Sequence, residues 1–388
     1  MNDVFITGAG MVKFGKHPDR DMLALAVEAG LKAINDTGQP DLKVDGVYVG
    51  TAASGQFCVM ENTGPMVAEQ LGLLPCEAVR IENTTASGST AIKEAFRAIA
   101  GGFLDTALVV GVEKMTHLPL EAATKVIASC MTHPSTETVH GATMPALAAM
   151  FARKYLAKFD LSTKYMSMVA VKNHENALLN PYAHLQKKIS IDDAMNSPIV
   201  ADPIRVMDCA PISDGAAAVV LQSGKSAAKS SKRPVKILGM AHSTDRQLFY
   251  QREGDGVSIG ALKVASQKAY HDAQLTPKDI DVAELHDAFT ILEIVESEDV
   301  GFFNKGEGAL ALEEGRTQIQ GDMPINTSGG LKARGHPIGA TGAAQIVELV
   351  WQLRGEAGPR QVQGARTGFA CNFAGFGNSA IATILQVR

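Results

Sequence analysis

Four short segments of this chain set reactive side chains among glycines or other small residues, the composition a backbone needs to approach a reacting atom. Asn83-Thr84-Thr85-Ala86-Ser87-Gly88 lies where a polar turn runs into an Ala-rich helical pattern. A side chain there meets the free N–H groups and positive end of a helix, which favour a developing anion. Thr84, Thr85 and Ser87 would serve equally as N-caps, worth about 1 kcal/mol. Glu284-Leu285-His286-Asp287-Ala288-Phe289 closes an apolar strand and puts an imidazole at its carboxyl end, where sites of α/β folds form. A histidine bonded to a backbone carbonyl is the plainer reading of that residue. The segment from Gly329 to Gly342 carries five glycines (329, 330, 335, 339 and 342) and Pro337 around His336. Folding alone rarely needs so many, and an imidazole held at a tight turn suits acid–base work. It contains neither GK[ST] nor GxGxxG, so a phosphate loop and a dinucleotide fingerprint are excluded there. Cys371-Asn372-Phe373-Ala374-Gly375-Phe376-Gly377 offers a thiol at a glycine turn, or merely a small buried residue.

The elements that must position these segments alternate between strand and helix, the pattern of an α/β layered fold. In the first half, residues 4–7, 45–50 and 106–112 read as strands, and 21–35 and 89–100 as helices. The second half repeats the order, with strands at 235–238, 281–285 and 380–386 and helices at 256–273 and 339–354. Residues 368–378 read as a glycine-rich bend before the closing strand. The turn Asn83-Thr84-Thr85-Ala86-Ser87-Gly88 has a counterpart in Asn326-Thr327-Ser328-Gly329-Gly330, which makes duplication the better reading. The polar, basic stretch 223–236 reads as a linker, giving halves at 1–230 and 231–388. Residues of about 116–202 form an insertion with helices at 145–159 and 164–178, the size of a lid or binding subdomain.

Composition narrows the partners. The 388 residues are 46% hydrophobic and 20% charged, as in ordinary globular proteins. A net charge of -5 and 5% aromatics argue against nucleic acid as a partner. Five scattered cysteines (Cys58, Cys76, Cys130, Cys209, Cys371) form no CxxC pair, so neither a disulfide framework nor a metal site is expected. No apolar run reaches membrane-spanning length, and the first residues lack a secretory pattern. A cytoplasmic location with no membrane partner is expected.

Taken in order, these motifs resemble the thiolase superfamily over essentially the whole chain. The likeness is greatest to archaeal and sterol-carrier-type thiolases that pair with a zinc-ribbon/OB-fold protein. It also rests on Gly141-Ala142-Thr143-Met144-Pro145, on residues 171–176 and 208–215, on His286-Asp287-Ala288-Phe289 and on Gly335-His336-Pro337. The resemblance implies a five-layered α-β-α-β-α thiolase fold of two similar halves plus a loop domain. It implies a coenzyme A thioester as substrate, with no separate cofactor. His336 matches the histidine that activates the nucleophile, and His286 the residue that completes an oxyanion hole. Cys371 falls where many members keep an acid/base cysteine. Met144, Asn326, Gly330 and Gly375 are the expected contacts to the substrate or its coenzyme A. A homodimer core with a separate zinc-ribbon/OB-fold subunit is the expected assembly.

Thr85 departs from that pattern, because members that form an acyl-enzyme carry cysteine there. An alcohol is a far weaker acid than a thiol and needs a dedicated base to act as nucleophile. Three readings follow. The chain is an acyltransferase on a 3-oxoacyl-CoA with Thr85 in the nucleophile's place; a retro-aldol lyase on a 3-hydroxyacyl-CoA that needs no acyl-enzyme; or a non-catalytic acyl-CoA-binding scaffold.

Overall fold

The computed structural model describes residues 2–129 and 136–387; Cys130 lies outside them. Nine strands form one mixed sheet: β1 (Val4–Met11), β2 (Gly46–Gly50), β3 (Glu77–Ile81), β4 (Thr106–Glu113), β5 (Gly215–Ser223), β6 (Val235–Thr244), β7 (Val282–Glu284), β8 (Thr367–Ala374) and β9 (Ser379–Gln386). Their spatial order is β3-β2-β4-β5-β1-β6-β9-β8-β7. In the first half β2, β4, β5 and β1 lie side by side; in the second, β7, β8, β9 and β6 repeat that arrangement. In both, the strand that opens the half is antiparallel to the one that closes it. The duplication read from two short turns is thus present in the strand order itself. Within the sheet, β1 of the first half pairs with β6 of the second at Phe5 with Lys236 and Ile6 with Val235.

Eight helices matter here: α1 (Met22–Asp36), α2 (Thr63–Gln70), α3 (Ser87–Ala100), α4 (Met144–Phe159), α5 (Lys164–Leu178), α6 (Gly260–Ala273), α7 (Thr290–Asp299) and α8 (Thr341–Arg354). Side chains alternate along the strands, so one strand feeds two cores. Ala217, Val219 and Leu221 of β5 join Ile92 of α3 and Val347 of α8 in a middle layer. Ala216, Ala218 and Val220 of the same strand pack outward on α1 and α2. On the far side, Phe369 and Phe373 of β8 pack with α4, α6 and α7. The result is five layers, α-β-α-β-α, with α3 and α8 in the centre. The inserted helices α4 and α5 rest on the second half.

Two expectations need correction. The bend expected over 368–378 is instead the eight-residue strand β8, which pairs throughout with β9; the glycine turn comes only after Ala374. The linker is shorter than expected, since Ser223 still belongs to β5 and β6 begins at Val235. No helix among the described residues is long and apolar enough to cross a membrane.

Candidate active site

The turn after β3 is built by hydroxyl groups. Ser87 Oγ accepts the Asn83 N–H at 2.9 Å and donates to the Thr84 carbonyl at 2.6 Å, closing one tight turn directly into α3. Thr84 takes a left-handed φ of 42°, and its hydroxyl accepts the Gly375 N–H at 3.2 Å. Thr85 follows at the helix entrance, nearly buried, and its hydroxyl donates to the Phe373 carbonyl at 2.5 Å.

A second helix begins against the first. A Cβ on Gly88 would lie 2.8 Å from the Gly339 carbonyl oxygen, and one on Gly342 would lie 2.5 Å from Asn372 Oδ1. Only glycine allows that approach. The starts of α3 and α8 therefore meet beside β8, and both positive helix ends serve one place.

His336 is delivered to it by Gly335, whose φ of 111° is closed to other residues. Its Nδ1 lies 2.7 Å from Thr341 Oγ1, whose single proton goes to the Pro337 carbonyl at 3.1 Å. The hydroxyl must then accept, so Nδ1 carries the ring proton and Nε2 has a free lone pair. His286 has the opposite tautomer. Asn372 Nδ2 donates to its Nδ1 at 2.8 Å, leaving the proton on Nε2. The two rings meet edge to face with centroids 5.3 Å apart, and Phe373 lies 4.2 Å from His286. Burial, reinforced by Arg334, depresses His336 to about 3. Burial, with His336 and Arg334, holds His286 well below its ordinary value. Both imidazoles are neutral at physiological pH, one offering an Nε2–H and the other an Nε2 base.

Cys371 sits behind this pair. It is fully buried, and its thiol donates to Glu296 Oε2 at 3.2 Å, the oxygen that also accepts the His286 N–H at 2.7 Å. Burial and the neighbouring carboxyl push the thiol well up. Asn326 is fully buried too, its amide oxygen accepting the Leu285 N–H at 2.8 Å and its amide nitrogen donating to Glu293 at 2.7 Å. Gly330 has a φ of 58° and makes room for Asp287, whose Oδ2 would lie 2.3 Å from a Cβ there. Asn326 and Gly330 thus form the floor on which His286 stands. Gly375 touches the Thr85 turn through Thr84, while Met144 starts α4, partly buried against the second-half core. Thr85 and His286 both contact Phe373, and His336 contacts His286. Sequence reasoning missed Asn372, Thr341 and Glu296, which set tautomers and orientation; Asn372, adjacent to the Cys371 already singled out, was the one within reach. Among the described residues no group of three His, Cys, Asp or Glu is placed to hold a metal ion.

A fold of two similar halves, with helix starts and paired histidines at the centre, defines a class of protein that the comparisons identify. Residues 4–225 match the thiolase N-terminal domain and residues 241–387 the thiolase C-terminal domain-like family. The chain belongs to the thiolase family. It is 43% identical over 386 residues to an acetyl-CoA acetyltransferase of Methanothermobacter thermautotrophicus, with 100% of both chains covered. It is 35% identical to sterol carrier protein 2 of Bos taurus, covering 100% of this chain and 72% of that one. Among solved structures, the Ltp2-ChsH2(DUF35) aldolase superposes with a TM-score of 0.84 at 25% identity, covering 100% of this chain and 98% of that one.

Proposed function

We propose that this chain is a thiolase-type acyltransferase that makes or breaks the carbon–carbon bond of a 3-oxoacyl-CoA, with Thr85 in the acyl-accepting position. The observation that supports it best is the pair of neutral imidazoles with complementary Nε2 atoms beside the Thr85 turn. In the cleavage direction His336 Nε2 takes the Thr85 proton as Oγ1 attacks the 3-oxo carbon. The C2–C3 bond breaks, and its electron pair passes into the thioester enolate. The enolate oxygen accepts hydrogen bonds from His286 Nε2–H and from the proton now on His336. That proton then moves to C2, releasing the shortened thioester, and the thiol of free coenzyme A takes the acyl group from the threonine ester. The route uses two non-protein species, the coenzyme A thioester and free coenzyme A, whose thiol proton returns to Thr85 Oγ1.

A second reading is favoured by one contact: the Thr85 hydroxyl already gives its proton to the Phe373 carbonyl. A retro-aldol cleavage of a 3-hydroxyacyl-CoA leaves that bond intact. His336 Nε2 takes the 3-hydroxyl proton as C2–C3 breaks to give a carbonyl product, His286 and the protonated His336 hold the enolate oxygen, and that proton then passes to C2. The superposed aldolase shares this fold. Intact-mass analysis with a panel of 3-oxo- and 3-hydroxyacyl-CoAs separates the two. An acyl mass on the protein supports acyl transfer, cleaved product without adduct supports the lyase, and unchanged ligand leaves a scaffold.

For assembly we propose a homodimer core carrying a zinc-ribbon/OB-fold subunit, in line with the DUF35 partner named for that aldolase. Closed two-fold association is the commonest oligomer. Light scattering that finds a lone monomer during co-expression would refute it. A reducing, cytoplasmic setting suits the free thiols of Cys58, Cys76, Cys209 and Cys371.

A further inference from the structure

The two histidines arrive on different segments, and one of those segments is rich in glycine. Residues 329–336 contain Gly329, Gly330 and Gly335, all at positive φ, so contacts rather than intrinsic stiffness must set their path. Two carboxylates from the His286 segment supply them. Asp287 accepts the Leu331 N–H at 2.6 Å and the Lys332 N–H at 3.3 Å. Glu284, the last residue of β7, accepts the Ser328 N–H at 3.1 Å, the Ser328 hydroxyl at 2.6 Å and Arg334 Nη1 at 3.1 Å. Glu284 and Arg334 are both fully buried. Each stands two residues before a histidine, Glu284 before His286 and Arg334 before His336.

We propose that the buried Glu284–Arg334 pair is a positioning strut that sets the separation and orientation of the two imidazoles. It deepens the reading above, since it rests on both histidines holding the thioester oxygen. Burying a charged pair is costly, and packing alone would do better with apolar residues. Here the pair joins the two histidine segments side chain to side chain, with each partner two residues from its histidine. The Asp287 contacts meet the other segment further from His336, at Leu331 and Lys332, and Gln345 Nε2 ties the Leu285 and Cys371 carbonyls. Arg334 keeps Nε and Nη2 buried with no hydrogen-bond partner among the described residues, so its charge is only partly answered locally. That residual charge acts on both rings. His336 faces Arg334 and His286; His286 faces His336, Arg334 and, through α7, the Glu296 carboxyl; Glu284 also feels Glu348 of α8.

The test compares Arg334→Met, Arg334→Lys and the double variant Glu284→Gln/Arg334→Met in the full chain. Each is measured for Tm, for kcat and KM with the acyl-CoA turned over by the parent, and for imidazole titration by ¹⁵N NMR. Misplacing the rings should lower kcat by about 10²-fold in Arg334→Met, with KM little changed. The His336 titration should move up towards the ordinary histidine range. Arg334→Lys should keep the titration low and recover part of kcat. The double variant should recover Tm, since no lone charge stays buried, yet not kcat. Recovery of parental kcat by the double variant, or a loss matching only the unfolded fraction, would overturn the strut. If the parent turns over no acyl-CoA, the functional reading fails separately. Ring-to-ring NOE contacts of His286 and His336 that are the same in Arg334→Met as in the parent would then still refute the strut, and their loss in a folded variant would support it.

Discussion

The duplicated turns have parted in how they satisfy their backbones. Asn83–Gly88 and Asn326–Gly330 occupy the same place in their halves, between the β2- or β7-side of the sheet and a central helix; the first holds one residue at left-handed φ, Thr84, and the second three, Asn326, Gly329 and Gly330. The first relies on small hydroxyls: Ser87, Thr84 and Thr90 bond neighbours at 2.6–3.2 Å. The second relies on buried carboxylates. Glu284 and Glu293 grip Ser328 and Asn326, and Glu293 is paired with Lys172 at 3.0 Å. Hydroxyl contacts are each worth about 1 kcal/mol, whereas an orphaned buried charge costs several times more. The first turn can therefore change its reacting group without endangering the fold. The second cannot.

Substitutions on the two sides should separate accordingly. The largest effect is expected from Glu293→Ala, which strands Lys172 and releases Asn326. Urea unfolding should show a loss of about 3–5 kcal/mol. Next, His286→Ala and His336→Ala should each slow turnover by about 10²–10³-fold with a much smaller change in KM, the cost of one oxyanion donor. Steady-state kinetics that found an unchanged kcat with a lowered Tm would make His336 a structural residue only.

Acid should act through the second turn. His174 on α5 is pushed down to about 4, chiefly by burial and by Lys332, and its Nε2 lies 3.4 Å from Lys332 Nζ. A folded pKa below the unfolded value means the folded state binds fewer protons. The stabilisation is complete above about pH 6.5 and is lost as pH falls towards 4. Tm measured from pH 7 to pH 4 should fall less steeply in His174→Asn than in the parent.

The smallest structural cost belongs to Thr85→Cys. The helix start and His336 should bring the new thiol below about 7.5, so that iodoacetamide labels it quickly. The background is favourable, since burial raises Cys58 to about 11 and Cys209 to about 12. Under acyl transfer this variant gains an acyl-enzyme; under the retro-aldol route it gains only sensitivity to alkylation. A cysteine at 85 inert to alkylation would remove this turn from the site.

The sequence made the layered fold and the three central residues readable because apolar alternation and glycine crowding are local signals. Thr85, His286 and His336 each sit inside such a signal. Their supports do not. Glu284 ends an apolar strand and looks like an ordinary boundary. Helix α7, Thr-Ile-Leu-Glu-Ile-Val-Glu-Ser-Glu-Asp, has the acidic content of a solvated face, yet all ten residues are buried. Its carboxylates answer groups distant in sequence: Glu296 bonds Cys371, and Asp299 accepts the Ile259 N–H at 2.7 Å. Such long-range pairing leaves no periodic trace.

Helix α8 carries a consequence for biosynthesis. It fills the central layer, yet it begins only at Thr341, long after β1, β4 and β5 have been made. Until it emerges, the inner face of the first half, with Ala217, Val219 and Leu221, has no α8 to cover it. A ribosome-bound chain ending before α8 would thus present a greasy sheet to solvent, the kind of surface that chaperones hold and that aggregates when they are scarce.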